Sequence, residues 1–93
     1  MIQRFCFVKL LDDEVAGRAS LADKLRAEFA DAGAEATVGL PADDSAVRWD
    51  LSIVITAASL EAWNALAVQP AIAMIFDELA ARAAVVKAWT FQA

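Results

Sequence analysis

Apolar and polar positions along the chain follow two periods that alternate in a definite order. Ile2–Leu10 (IQRFCFVKL) is short and rich in Phe, Val, Ile and Leu, which predicts a strand. The acids Asp12, Asp13 and Glu14 follow it. From about Val15 to Ala32, the apolar residues Leu21, Leu25, Phe29 and Ala32 recur at spacings of four, four and three, one stripe of an amphipathic helix. Glu14–Arg18 and Lys24–Glu28 are opposite charges four residues apart, spaced to pair on the helix's other side. Gly33 is placed to end it, because a residue without a Cβ takes the left-handed conformation at least cost.

Ala34–Leu40 reads as a second strand with Ala36, Val38 and Leu40 on one face. Pro41–Ala46 (PADDSA) is turn chemistry, with Pro fixing φ and Asp and Ser bonding to nearby backbone. Arg48–Thr56 (RWDLSIVIT) is the clearest strand, expected to set Trp49, Leu51, Ile53 and Ile55 on one face and Asp50, Ser52, Val54 and Thr56 on the other. Ser59 is suited to cap a helix over Leu60–Val68, with Glu61 near its positive end. Pro70 interrupts that helix and opens another, which runs to about Arg82 with Ile72, Ile75, Phe76 and Leu79 on one face. Ala84–Phe91 is the closing strand.

The order β-α-β-β-α-α-β predicts an α+β, ferredoxin-like fold: a four-stranded antiparallel sheet with the helices on one face. Residues 1–93 make a single domain, as 93 residues suggest. The other sheet face carries Gln3, Phe5, Phe7 and Lys9 from the first strand and Ser52, Val54 and Thr56 from the third. At ~25 cal/mol per Å², hiding two Phe rings contributes several kcal/mol, comparable with the whole stability of a small domain. Gln3, Phe5, Phe7 and Val54 are therefore expected to meet a second copy, sheet against sheet.

Composition narrows the function. The chain is 60% apolar with mean hydropathy +0.49; alanine supplies much of this, but three Trp and five Phe must also be housed. One cysteine, Cys6, excludes an internal disulfide framework. With no His and no Tyr, the commonest general base, the commonest metal ligand and the phenol acid are all absent. A net charge of −5 argues against nucleic acid as a partner. No window reaches the roughly 18 apolar residues of a membrane span. The first residues, MIQRFCFVKLLDDE, lack the basic start and small-residue cleavage site of a signal peptide. The expected setting is cytoplasmic, consistent with a lone reduced thiol, with no cofactor and no metal.

Three stretches carry a family resemblance: Phe7-Val8-Lys9 at the end of the first strand, Trp49-Asp50-Leu51 in the third, and the broken helix pair Leu66-Ala67-Val68-Gln69-Pro70-Ala71-Ile72. With the length and element order, they make the chain resemble the stress-responsive dimeric α/β-barrel (Dabb) domain family. That group includes plant stress proteins and a polyketide cyclase that makes olivetolic acid. The resemblance implies a homodimer with sheets facing each other, and a small apolar pocket between sheet and helices in each copy. Cyclase members use a histidine on the first strand and a second in a His-Pro-x-His motif. By position these fall on Arg4 and Ile72, with the motif's first His at Gln69. Arginine stays protonated and isoleucine has no proton to move, so the family's imidazole chemistry is not expected here.

Candidate ligand-pocket residues are Arg4 and Cys6 on the first strand and Trp63, Leu66, Gln69, Ile72 and Phe76 on the helices, with Trp89 on the closing strand. Arg4 shares a face with Ile2 and Cys6 and is suited to grip a carboxylate or phenolate. Its bland alternative is an ion pair with Asp50 or Glu78, or a path to water. Cys6 has no His to lower its pKa and reads as packing rather than a nucleophile. The helical stripe reads equally as core. Asp12-Asp13-Glu14 and Asp43-Asp44 lack the spacing of a calcium loop and read as a helix start and a turn. Haem chemistry lacks its histidine ligand. Three functions stay open: a small-molecule-binding homodimer, a cyclase- or isomerase-like enzyme using Arg4 to stabilise an enolate, and a structural assembly module.

Overall fold

Among the described residues, four strands and three α-helices follow one another in the expected order: β1 Ile2–Leu10, α1 Arg18–Asp31, β2 Glu35–Gly39, β3 Leu51–Ala57, α2 Leu60–Ala67, α3 Pro70–Arg82 and β4 Ala83–Gln92. The computed structural model describes residues 1–46 and 48–93. The strands lie in the order β2-β3-β1-β4, every neighbouring pair antiparallel, which is the ferredoxin-like arrangement. Among the described residues, no helix is long and apolar enough to cross a membrane.

The core lies between one sheet face and the helices. Cys6, Val8 and Leu10 of β1 and Leu51, Ile53 and Ile55 of β3 pack with Leu21, Leu25 and Phe29 of α1 and Ile72, Ile75 and Leu79 of α3. The period-2 and period-3.6 patterns thus converge on one layer. α3 starts at Pro70, whose missing N–H costs nothing at the first helical position. Ser59 caps α2, its Oγ accepting a hydrogen bond from the Ala62 backbone N–H at 3.1 Å. Gly33, at φ 75°, follows α1 in the left-handed conformation.

Three local expectations are corrected. The expected first helix begins instead as a 3₁₀ segment, Asp12–Gly17, and becomes α-helical only at Arg18. Its Asp and Gly residues are weak helix formers, and the tighter turn removes the four-residue spacing on which a Glu14–Arg18 pair depends. Glu14 lies 3.7 Å from Arg82 instead, and Arg18 meets Asp50 at 3.1 Å. The expected Lys24–Glu28 pair is present at 3.5 Å.

The third strand begins at Leu51 rather than Arg48. The Asp50 N–H donates to the Val8 carbonyl at 2.8 Å, and the Leu10 N–H donates to Asp50 Oδ2 at 2.8 Å. Strand alternation therefore does not extend through Asp50, whose carboxylate turns to Leu10 and α1. Trp49 does not share the buried face of Leu51; its ring lies 5.9 Å from that of Phe7, on the opposite side of the sheet. Finally, β2 is shorter than expected, and Leu40 lies beyond it, exposed.

Candidate functional site

The pairing of β1 with β4 sets Arg4 opposite Thr90 and Cys6 opposite Ala88. Cys6 is in the core, so by strand alternation all four positions face the helices. Against them pack Trp63 and Ala67 of α2 and Phe76 of α3, bordering a half-open cavity of about 150 Å³ that also reaches the exposed Val86. Small residues, Ala67 and Ala88, stand where larger side chains would fill the layer.

Arg4 is the polar group of this cavity. Its Nη1 donates to Thr90 Oγ1 at 2.9 Å, and its guanidinium carbon lies 5.6 Å from the Trp63 ring centroid, within cation–π range. Neither suggested ion-pair partner is available. Asp50 sits at the far end of β1, taken by Leu10 and Arg18, while Glu78 on α3 is bonded to Lys24 and, at 3.1 Å, to Arg82. Among the described residues Arg4 has no carboxylate partner. A guanidinium carries five N–H donors; Thr90 is the partner of one of them in an exposed contact, so the others have the expected path to water.

Cys6 lines the same cavity and is buried. Burial pushes its thiol pKa up from the ordinary value, and the nearby Arg4 charge only partly opposes this. The thiol is therefore protonated near neutral pH, when only the thiolate is a good nucleophile. Among the described residues lining the cavity, Arg4 and Cys6 are the ones with ionisable side chains, and there is no carboxylate or imidazole beside them.

Of the sequence-derived pocket residues, the structure brings together Arg4, Cys6, Trp63 and Phe76 and separates the others. Ile72 is fully buried core, and Leu66 packs against that core. Gln69 is exposed at the cap of α3, its carbonyl accepting from the Ile72 and Ala73 N–H groups. Trp89 lies on the opposite sheet face, opposite Phe5 in register and 6.1 Å from the Phe7 ring. Thr90, Ala67, Val86 and Ala88 were not legible as site residues. A hydrophobic pattern marks where side chains are large, whereas a cavity lies where they are small.

The expected interface residues share the outer face. Phe5 meets Phe91 edge to face at 5.7 Å, and Phe7 bridges Trp49 and Trp89. Gln3 and Val54 stand beside them in register. Phe5 and Phe7 are half-buried, but Trp89 and Phe91 are 48% and 58% exposed. The acidic stretches have local roles: Asp12–Glu14 form the first turn of the 3₁₀ segment, and Asp43 bonds to Ser45. Among the described residues, no group of three or more candidate ligands is placed to hold a metal ion.

No protein-family model matches the chain, and no curated protein does. Solved structures do. A dimeric protein of unknown function and ferredoxin-like fold from Bacteroides fragilis superposes with a TM-score of 0.78 at 16% identity, covering 99% of this chain and 95% of that one. A protein of Arabidopsis thaliana gives a TM-score of 0.81 at 11% identity, over 100% and 95% of the two chains. SnoaB, a cofactor-independent oxygenase from Streptomyces nogalater, gives 0.73 at 17% identity, over 99% and 91%. At these identities the likeness is one of fold, and the fold is ferredoxin-like.

Proposed function

We propose that the protein is a cytoplasmic homodimer of the stress-responsive α/β-barrel kind, each copy binding a small aromatic or apolar carboxylate without acid–base catalysis. The observation that carries this reading is Arg4: a guanidinium with donors to spare and, among the described residues, no carboxylate partner, at a small cavity lined mainly by apolar side chains. Arg4 is only partly buried and its bond to Thr90 is exposed, so its remaining donors are open to an incoming anion, and a planar guanidinium fork matches a carboxylate. An apolar cavity of ~150 Å³ holds one benzene ring, so one aromatic ring is the size that fits. Among the described residues the cavity lining has no carboxylate or imidazole to act as a general base, which favours binding over the enzyme reading.

The dimer half of the proposal rests on the exposed aromatic outer face and on the dimeric state stated for the Bacteroides fragilis protein of the same fold. The test is thermal unfolding with benzoate, benzamide and no additive. Benzoate at millimolar concentration raises the wild-type Tm by a few degrees, since a ligand that binds only the folded state stabilises it. Benzamide gives a smaller shift, and Arg4→Gln loses the benzoate response while retaining its fold. Equal shifts from the acid and the amide, or an undiminished benzoate shift in Arg4→Gln, would sink the reading.

A further inference from the structure

The chain has eight Lys and Arg residues. Arg18, Lys24, Arg26 and Arg82 contact carboxylates, and Arg4 belongs to the cavity described above. The remaining three, Lys9, Arg48 and Lys87, all line one further cavity, together with Trp49 and Val85. Its volume is about 470 Å³. None of these three cations is paired with a carboxylate among the described residues. In a protein of net charge −5, these three cations make a local positive patch around one space, where the field draws an anion.

The fold explains the convergence. Lys9 is opposite Val85, and Lys87 opposite Phe7, so both ammonium groups rise from the outer sheet face at the same end. Trp49, displaced to that face because Asp50 turns toward Leu10, adds an indole tilted against Phe7. Arg48 precedes it. The face is thus divided: Phe5, Trp89 and Phe91 make an apolar half, and Lys9, Lys87 and Trp49 a cationic half.

We infer that this second cavity binds a planar organic carboxylate, its charge held by Lys9, Arg48 and Lys87 and its flat body lying against Trp49. A guanidinium and two ammonium groups complement a carboxylate. The indole and Val85 supply an apolar surface that an inorganic ion would leave unused. The volume admits more than the single ring of the Arg4 cavity. The site is on the opposite side of the sheet from that cavity and does not depend on it; it lies at the end of the outer face, beside the apolar half proposed to meet a second copy.

The test follows the three Trp indole N–H signals of the ¹⁵N-labelled full chain, assigned with Trp→Phe variants, during titration with 2-naphthoate, 2-naphthamide and inorganic phosphate. The expected result is a saturable shift of the Trp49 signal with naphthoate, at least tenfold weaker with the amide and with phosphate. Combining Lys9→Gln with Lys87→Gln weakens naphthoate binding at least tenfold while the rest of the spectrum is retained. An unmoved Trp49 signal overturns the inference. So does equal binding of amide or phosphate, or an unaffected double variant. A shift of Trp63 alone supports the Arg4 site and overturns this one. If instead Trp49 is silent and the double variant falls from a two-copy to a one-copy mass in light scattering, the cations serve a second copy's carboxylates and the inference fails.

Discussion

Arg18 Nη1 lies 3.1 Å from Asp50 Oδ1, tying the first residue of α1 to the approach of β3. The other carboxylate oxygen accepts the Leu10 backbone N–H at 2.8 Å, so one side chain holds the end of β1, the start of α1 and the entry to β3 in place. Asp50 is the one buried charged residue among those described, at 8% exposure. Its burial is tolerated because both oxygens have partners, and one of those partners is cationic.

Asp50→Ala removes both contacts and leaves the buried Leu10 N–H without an acceptor. The expected loss is about 2–4 kcal/mol, the range for stranding a buried donor and breaking a partly buried ion pair. Arg18→Ala removes only the more exposed partner and costs about 1 kcal/mol or less. Urea unfolding of the two variants separates these values. Equal losses would mean that the Leu10 hydrogen bond contributes nothing.

The contrast between Asp50 and Pro70 shows how far the sequence is legible. Elements set by local chemistry lie where the pattern predicts: Pro70 opens α3, Ser59 caps α2, and Gly33 follows α1 with positive φ. Features set by tertiary partners do not. Asp50 reads as an outward strand residue until the Leu10 N–H across the chain claims its carboxylate, and this moves Trp49 to the other face. At the cavity, the first-strand pair Arg4 and Cys6 follows from alternation. The gap itself depends on Ala67 and Ala88, which no apolar periodicity singles out.

If the Arg4 cavity is unfilled space serving a ligand, then filling it from the wall is cheap and blocks binding. Ala67→Leu adds a branched side chain toward a volume of about 150 Å³. The expected change in stability is within about 1 kcal/mol, because the added atoms enter empty space rather than a packed core. The benzoate-dependent rise in Tm is lost. A variant destabilised by several kcal/mol would instead indicate a wall already in tight contact.

Cys6 gives the molecule an alkaline pH dependence. Burial raises its folded-state pKa above the ordinary 9.0, with Arg4 opposing in part. Its contribution to stability is therefore complete below about pH 9 and lost as pH rises from there through the folded-state value, where the unfolded thiol has already released its proton. Lys24, whose pKa is raised chiefly by its hydrogen bond to Glu78, acts in the same alkaline direction but is common to both proteins compared. Between pH 8 and pH 10, the urea midpoint of the wild type falls more steeply than that of Cys6→Ala. Parallel curves for the two would show that the thiol is not desolvated in the folded state.

The outer sheet face supplies the last prediction. Trp89 and Phe91 remain exposed although each neighbours another aromatic ring, and Phe5 and Phe7 extend the same surface. A stable pair of copies covers about 800 Å² on each partner, and at ~25 cal/mol per Å² the apolar part of such a contact is strongly favourable before the cost of association. Phe91→Asp puts a charge in the apolar half of the face, where its desolvation opposes pairing. Light scattering at micromolar concentration is expected to give twice 9.9 kDa for the wild type and 9.9 kDa for this variant. Val68→Asp and Met74→Asp place the same charge on exposed apolar residues of the helical layer, at 78% and 69% exposure, and leave the two-copy mass intact. A wild type that scatters as a single chain, or a mass lost equally through Met74→Asp, would mean that the aromatic face is not where copies meet.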